Sequence, residues 1–143
     1  MRPIEILLVE DNPGDALLAK VAFENSRSPI NMHFAVDGME AIDFLSKKGR
    51  FSDAITPDLI LLDLNLPKKS GIEVLIEIKA DDQLKVIPVI ILTTSDAEQD
   101  ILMSYKLHAN SFVNKPFGFE SFSEIARSIE KFWFGVVKYP KHD

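Results

Sequence analysis

Five short apolar runs, at residues 4–9, 31–36, 59–62, 86–92 and 110–114, punctuate the chain, and a helix-patterned stretch follows each of them. Runs this short, bounded by turn residues, suit strands buried on both faces. Strands that alternate with helices favour a parallel sheet, because parallel neighbours need crossover connections, and right-handed crossovers leave few topologies. The pattern predicts an α/β fold: a doubly wound, five-stranded parallel sheet in the flavodoxin-like order 2-1-3-4-5, with helices on both faces.

The helical stretches carry their own start signals. Asn12 caps a helix whose first position is Pro13, where a missing N–H costs nothing. Asp37 and Gly38 open a second helix with Ala41, Ile42 and Leu45 at core spacing, and a third runs over 71–80 with Val74, Leu75 and Ile78 inward. Residues 95–98, Ser-Asp-Ala-Glu, form a capping box for the fourth. The last helix begins near Phe119 and carries Phe122, Ile125, Ala126, Ile129, Phe132 and Val136 on one stripe. In the second strand Met32, Phe34 and Val36 share a face, and residues 47–57 make a long polar connection containing Gly49.

With 143 residues the chain reads as a single domain over 1–143, its core at about 4–131 and an extended C-terminal helix and tail at about 132–143. A net charge of −6 disfavours nucleic-acid binding through a basic surface. The absence of Cys excludes disulfides and thiolate metal sites. The N-terminal segment has neither signal-peptide nor membrane-span character, so a cytoplasmic location and no membrane partner are expected. His33 and His108 show no ligand spacing and read as surface or boundary residues.

In a sheet of this kind ligands and chemistry collect outside the carboxyl ends of the strands. Strand one delivers Glu10 and Asp11 there, strand three Asp63, strand four Thr93 and strand five Lys115. Any one of these has a bland explanation as a cap or a surface charge; five at four strand ends, each after an apolar run, do not. Carboxylates gathered at 4 Å repel by about 4 kcal/mol per pair at an effective dielectric near 20. Lys115 offsets part of that, and a hard divalent cation such as Mg²⁺ offsets the rest. An acidic pocket with a cation, a Lys and a hydroxyl suits a phosphoryl group, with Asp63 as nucleophile and acceptor and Thr93 as a hydrogen-bond donor to it.

These residues resemble the receiver domains of two-component response regulators, the CheY-like family. The resemblance rests on residues 8–12 (Leu-Val-Glu-Asp-Asn), the run from Asp58 through Asp63 to Pro67, Gly71, the run 89–93 ending in Thr93, and Lys115-Pro116-Phe117. It implies a phosphorelay response regulator without an attached effector, phosphorylated on Asp63 by a sensor histidine kinase. It implies direct Mg²⁺ binding by Asp11, Asp63 and the backbone carbonyl of Asn65, with Glu10 acting mostly through water. Thr93 becomes the switch hydroxyl, Lys115 the phosphate-pairing Lys, and the bond to Pro116 is expected to be cis. Asn65 and Ser95 occupy positions that modulate loss of the phosphoryl group. At the aromatic switch position stands Phe112, which without a hydroxyl reports the state only by packing. Such a protein catalyses its own phosphorylation and dephosphorylation and is not an enzyme acting on a separate substrate. The long 47–57 connection, residues 10–15 and the C-terminal extension resemble single-domain regulators paired with phytochromes.

Two further readings stand beside this one. A Mg²⁺-dependent phosphohydrolase with an Asp nucleophile normally carries a second carboxylate two residues on, where Asn65 stands; a flavodoxin lacks support because the loop after strand one has no Ser/Thr/Gly-rich cradle. Near the end of the last helix, Phe132, Trp133 and Phe134 are consecutive. Successive helical residues point about 100° apart, so one face cannot bury all three. At least one is expected to be exposed, as a partner surface or a homodimer contact.

Overall fold

In the computed structural model, residues 2–94, 98–115 and 118–134 are described. The elements are β1 (Ile4–Val9), α1 (Pro13–Glu24), β2 (Ile30–Ala35), α2 (Gly38–Ser46), β3 (Leu59–Leu62), α3 (Gly71–Ala80), β4 (Val89–Thr93), α4 (Glu98–Lys106), β5 (Ser111–Asn114) and α5 (Phe119–Ile129). All strand pairs are parallel, and their order is β2-β1-β3-β4-β5, as the alternation predicts.

Alternate residues of the central strands feed two separate cores. Leu7, Val9, Ile60, Leu62, Val89 and Ile91 meet Ala41, Phe44 and Leu45 of α2 and Val74, Leu75 and Ile78 of α3. Ile6, Leu8, Leu59, Leu61, Ile90 and Leu92 meet Ala19, Ala22 and Phe23 of α1 and Phe122, Ala126 and Ile129 of α5. Because both faces are covered, β1, β3 and β4 tolerate unbroken apolar runs. The edge strands do not share this: Met32 is partly buried, whereas Phe34 and Val36 on the outer side of the fold are 36% and 53% exposed. The apolar run at 86–92 likewise overstates its strand, since β4 starts only at Val89 and Val86 faces solvent.

The amino end of the sheet is tied by a buried carboxylate. Asp58, 1% exposed, accepts two hydrogen bonds from the Arg2 guanidinium, at 2.7 and 2.8 Å, and one from the Glu5 N–H at 2.9 Å. The Asp58 N–H returns to the Glu5 carbonyl, which sets β3 in register against β1. Glu5 in turn takes hydrogen bonds from Asn31 and pairs with His33 at 3.0 Å, so His33 is half-buried and engaged at the β1–β2 boundary.

Helix starts follow side-chain caps. Asn12 accepts from the Asp15 N–H, Asp37 from the Glu40 N–H, and Ser70 and Glu73 form a reciprocal capping box on α3. Residues 95–97 of the box at 95–98 lie outside the described residues. After Ile129 the last helix widens into a π-turn over Glu130–Phe134. An i→i+5 turn shifts the angular register by about one residue, and the stripe fails there: Phe132 is 53% exposed, while Trp133 packs partly buried against the α1/α5 core.

Two glycines let backbone pass backbone beside the segment that follows β3. A Cβ on Gly38 would lie 2.0 Å from the Lys69 carbonyl oxygen, and one on Gly71 would lie 2.2 Å from the Asp63 carbonyl oxygen and 2.5 Å from Leu64 Cα. Gly71 also donates its N–H to the Leu64 carbonyl, closing the turn. Gly71→Ala is therefore expected to lower stability by about 1–3 kcal/mol, the usual range for forced overpacking. Urea unfolding measures this; a midpoint equal to that of the unsubstituted protein contradicts so tight a crossing.

Candidate functional site

Sheet hydrogen bonding continues one residue past three strand ends, and this is what aims the polar residues. The Glu10 N–H bonds the Ala35 carbonyl at 3.0 Å, the Asp63 N–H the Val9 carbonyl at 3.1 Å, and the Lys115 N–H the Thr93 carbonyl at 2.7 Å. Their backbones are thus held as firmly as strand residues, although each side chain is polar. Glu10, Asp63, Thr93 and Lys115 are all buried, and Asp11 is exposed.

The Asp63 carboxylate stands at the centre. Its Oδ1 accepts from Thr93 Oγ1 at 2.7 Å and from the Asn65 N–H at 3.1 Å; its Oδ2 accepts from Lys115 Nζ at 2.9 Å. The Asn65 side-chain amide reaches Thr93 Oγ1 at 3.4 Å. Lys115 Nζ also lies 2.5 Å from Glu10 Oε1 and 3.1 Å from Asp15 Oδ2. Glu10 keeps its other oxygen on the Asn12 N–H at 3.1 Å, so the loop after β1 is pinned to the site by its own acid.

Burial away from water pushes the Glu10 carboxyl up to about 7, against the opposing hydrogen bond and charge of Lys115. Desolvation works to lower the Lys115 ammonium, but the hydrogen bonds it donates to Glu10 and Asp63, with their charges, outweigh it and hold the pKa above the usual lysine value. Glu10, Asp11 and Asp63 each present an oxygen, and these atoms lie within 4.8 Å of one another. An all-oxygen set with neither thiolate nor imidazole fits a hard divalent cation of the Mg²⁺ or Mn²⁺ kind.

The residues anticipated from the strand ends, Glu10, Asp11, Asp63, Thr93 and Lys115, thus come together in space. Asn65 joins them through its N–H and side chain. Phe112 is half-buried on β5 against the α2/α3 core, and its N–H meets the Tyr105 hydroxyl at 3.3 Å. Pro116, its peptide bond, Ser95 and the Phe134 side chain lie outside the described residues. Asp15 is a neighbour that the motif reading passed over; its signal was its place in the first turn of α1, directly after the acidic loop. Beside the acids runs a shallow apolar groove between α1 and β2, lined by Pro13, Ala16, Leu17, Phe34 and Val36, which accounts for the exposed face of β2.

The comparisons agree with this geometry. Residues 6–127 match the family model described as the response regulator receiver domain. Response regulator Rcp1 of Synechocystis is 42% identical over 138 residues, covering 96% of this chain and 94% of that protein. The probable methanogenesis regulatory protein FilR2 of Methanothrix harundinacea is 38% identical, covering 96% and 88%. The Mn(2+)-bound crystal structure of Rcp1 superimposes with a TM-score of 0.92 at 42% identity over 97% of this chain and 100% of that one. The phosphorylated cyanobacterial phytochrome response regulator RcpA gives 0.94 at 46% identity over 98% and 100%. Among the described residues no helix is long and apolar enough to cross a membrane. A fold, an acidic cluster with its Lys and Thr, and likeness along nearly the whole chain lead to one conclusion: this chain belongs to the response regulator receiver domain family.

Proposed function

We propose that Asp63 is the phosphoacceptor of a phosphorelay, that Mg²⁺ is the working cation, and that a sensor histidine kinase, in this branch a phytochrome, is the donor. One observation carries the reading: a buried carboxylate is contacted at once by a hydroxyl and an ammonium, with two further acids beside it. The likeness to RcpA, whose crystal structure is that of a phosphorylated phytochrome response regulator, supports the donor class.

In this reading an Asp63 oxygen attacks the phosphorus, the bond to the donor nitrogen breaks, and an acyl phosphate forms. Asp11, Asp63 and the Asn65 carbonyl would hold the cation directly, with Glu10 contributing through water. The cation supplies charge neutralisation at the phosphoryl oxygens. Lys115 turns from the carboxylate to a phosphoryl oxygen, and Thr93 follows with its hydroxyl. Movement of Thr93 changes the packing under Phe112, and the surface around α4 and β5 carries the change to partners. The apolar groove of Leu17, Phe34 and Val36 borders Glu10 and Asp11, where a donor helix can seat. Catalysis is limited to the protein's own phosphoryl group, because Asn65 stands where a phosphohydrolase needs a second acid.

Incubation with acetyl phosphate and Mg²⁺, followed by intact mass, should give one phosphoryl adduct on wild type and none on Asp63→Asn. Comparable labelling of the variant would move the acceptor elsewhere.

Mg²⁺ at a hundred times its dissociation constant should stabilise the fold by about 2.7 kcal/mol. Asp11→Asn, at an exposed position that leaves the core alone, should abolish most of that gain in a thermal melt. An equal gain in both proteins would remove Asp11 from the cation site.

The chain self-associates through the end of its last helix in this reading, with Phe132 as the exposed contact and Trp133 as its half-buried support. Their rings meet edge to face at 5.6 Å. Phe132→Ser should sediment as a monomer at unchanged thermal midpoint while wild type sediments as a dimer; a wild type that is monomeric with and without the phosphoryl group refutes the contact.

A further inference from the structure

Asp15 is a polar group at the site that the reaction above does not use. It occupies the first turn of α1, its own N–H bonded to Asn12 Oδ1 at 3.0 Å, and its side chain is 29% exposed. Its Oδ2 lies 3.1 Å from Lys115 Nζ. Lys115 therefore has three carboxylate partners, Glu10, Asp15 and Asp63, at 2.5, 3.1 and 2.9 Å. An ammonium carries three N–H donors and no more. All three have a partner before any phosphoryl group arrives, so one must be released for Lys115 to bond a phosphoryl oxygen.

The three partners differ in what they do next. Asp63 is the acceptor, and its bond passes to the group it receives. Glu10 belongs to the acids that converge on the cation site. Asp15 does neither, and its hold on Lys115 is in direct competition with the incoming group. Its position on a helix first turn also suits the helix dipole, which explains a carboxylate there but not its contact with a buried ammonium from β5, 100 residues away in the chain.

We propose that Asp15 is a positioning residue that tethers the Lys115 ammonium in the resting protein and competes with the arriving phosphoryl group for one of its N–H bonds. This rests on the assignment of Asp63 as acceptor. Removal of the Asp15 charge has two effects of opposite sign. Lys115 becomes freer to bind phosphoryl oxygens, and the negative field that draws a divalent cation weakens. A general loosening of the site weakens both ligands together, so the pair of signs separates tethering from a structural role.

The test uses the full chain, with beryllofluoride as the phosphoryl probe at saturating Mg²⁺, read by ¹⁹F NMR, and Mg²⁺ alone, read by calorimetry. Asp15→Asn keeps the size of the side chain and loses its charge. It should tighten beryllofluoride by about five-fold and weaken Mg²⁺ by about two-fold, magnitudes suited to one partly screened charge. Asp15→Glu restores the charge and should return both values toward wild type. Asp15→Ser repeats the expected signs if the Asn variant folds poorly. Unchanged or weaker beryllofluoride binding in the charge-free variants, with wild type binding normally, overturns the tether and leaves the acceptor assignment standing. A wild type that binds Mg²⁺ but no beryllofluoride overturns the acceptor assignment and the tether with it.

Discussion

The Lys115 ammonium is the group on which the site depends. Buried carboxylates neutralise themselves by taking up protons unless a cation is near, and the rise of Glu10 to about 7 records that pressure. Lys115 touches Glu10, Asp15 and Asp63, and Asp11 adds a fourth acid to the cluster. One ammonium cannot balance four carboxylates. The surplus negative charge suits a divalent cation, and in the proposed function the shared ammonium is the partner for phosphoryl oxygens.

The backbone around this charge cluster is rigid for reasons unrelated to charge. Glu10, Asp63 and Lys115 each sit one residue beyond a strand, still within the sheet's hydrogen bonding. Leu59–Leu62 is buried on both sides between the two cores, so the strand that presents Asp63 has no room to shift. Gly38 and Gly71 then bring α2 and α3 against the chain that follows Asp63, at distances where a single methyl would collide with main-chain atoms. The Asp63 carboxylate is consequently preorganised, a requirement for electrostatic assistance to a reacting group in the acceptor role proposed for it. The periphery behaves differently: the β2 edge exposes Phe34 and Val36, and the π-turn exposes Phe132. Rigid chemistry at the centre with apolar surface at two edges suits a protein whose output is binding.

Much of the fold was legible because its signals are local. Apolar runs of the right length, Asn12 and Pro13 at one helix start and Asp37 at another, act within a few residues and read directly from the chain. The strand-end rule then brought Glu10, Asp11, Asp63, Thr93 and Lys115 to one end of the sheet. Legibility failed where a long-range contact overrides a local pattern. Residues 86–88 look like strand, yet the ladder to β3 begins at Val89. Phe132 continues a helical stripe on paper, yet the π-turn rotates it outward and turns Trp133 inward. Nothing near Asp58 in the chain names its partners, the Arg2 guanidinium and the Glu5 N–H, which the fold brings from more than fifty residues away.

What the sequence by itself determined is the alternation of strand and helix, hence a parallel sheet, and the kinds of side chain delivered to its carboxyl ends. Periodicity and capping are properties of neighbours in the chain, and they need no knowledge of the partner strand. What only the tertiary structure decided is who shares Lys115. Asp15 and Lys115 are 100 residues apart and meet because α1 begins, and β5 ends, at the carboxyl end of one sheet. Division of one ammonium among several acids is set by distances of 2.5 to 3.1 Å, and no pattern along the chain encodes them.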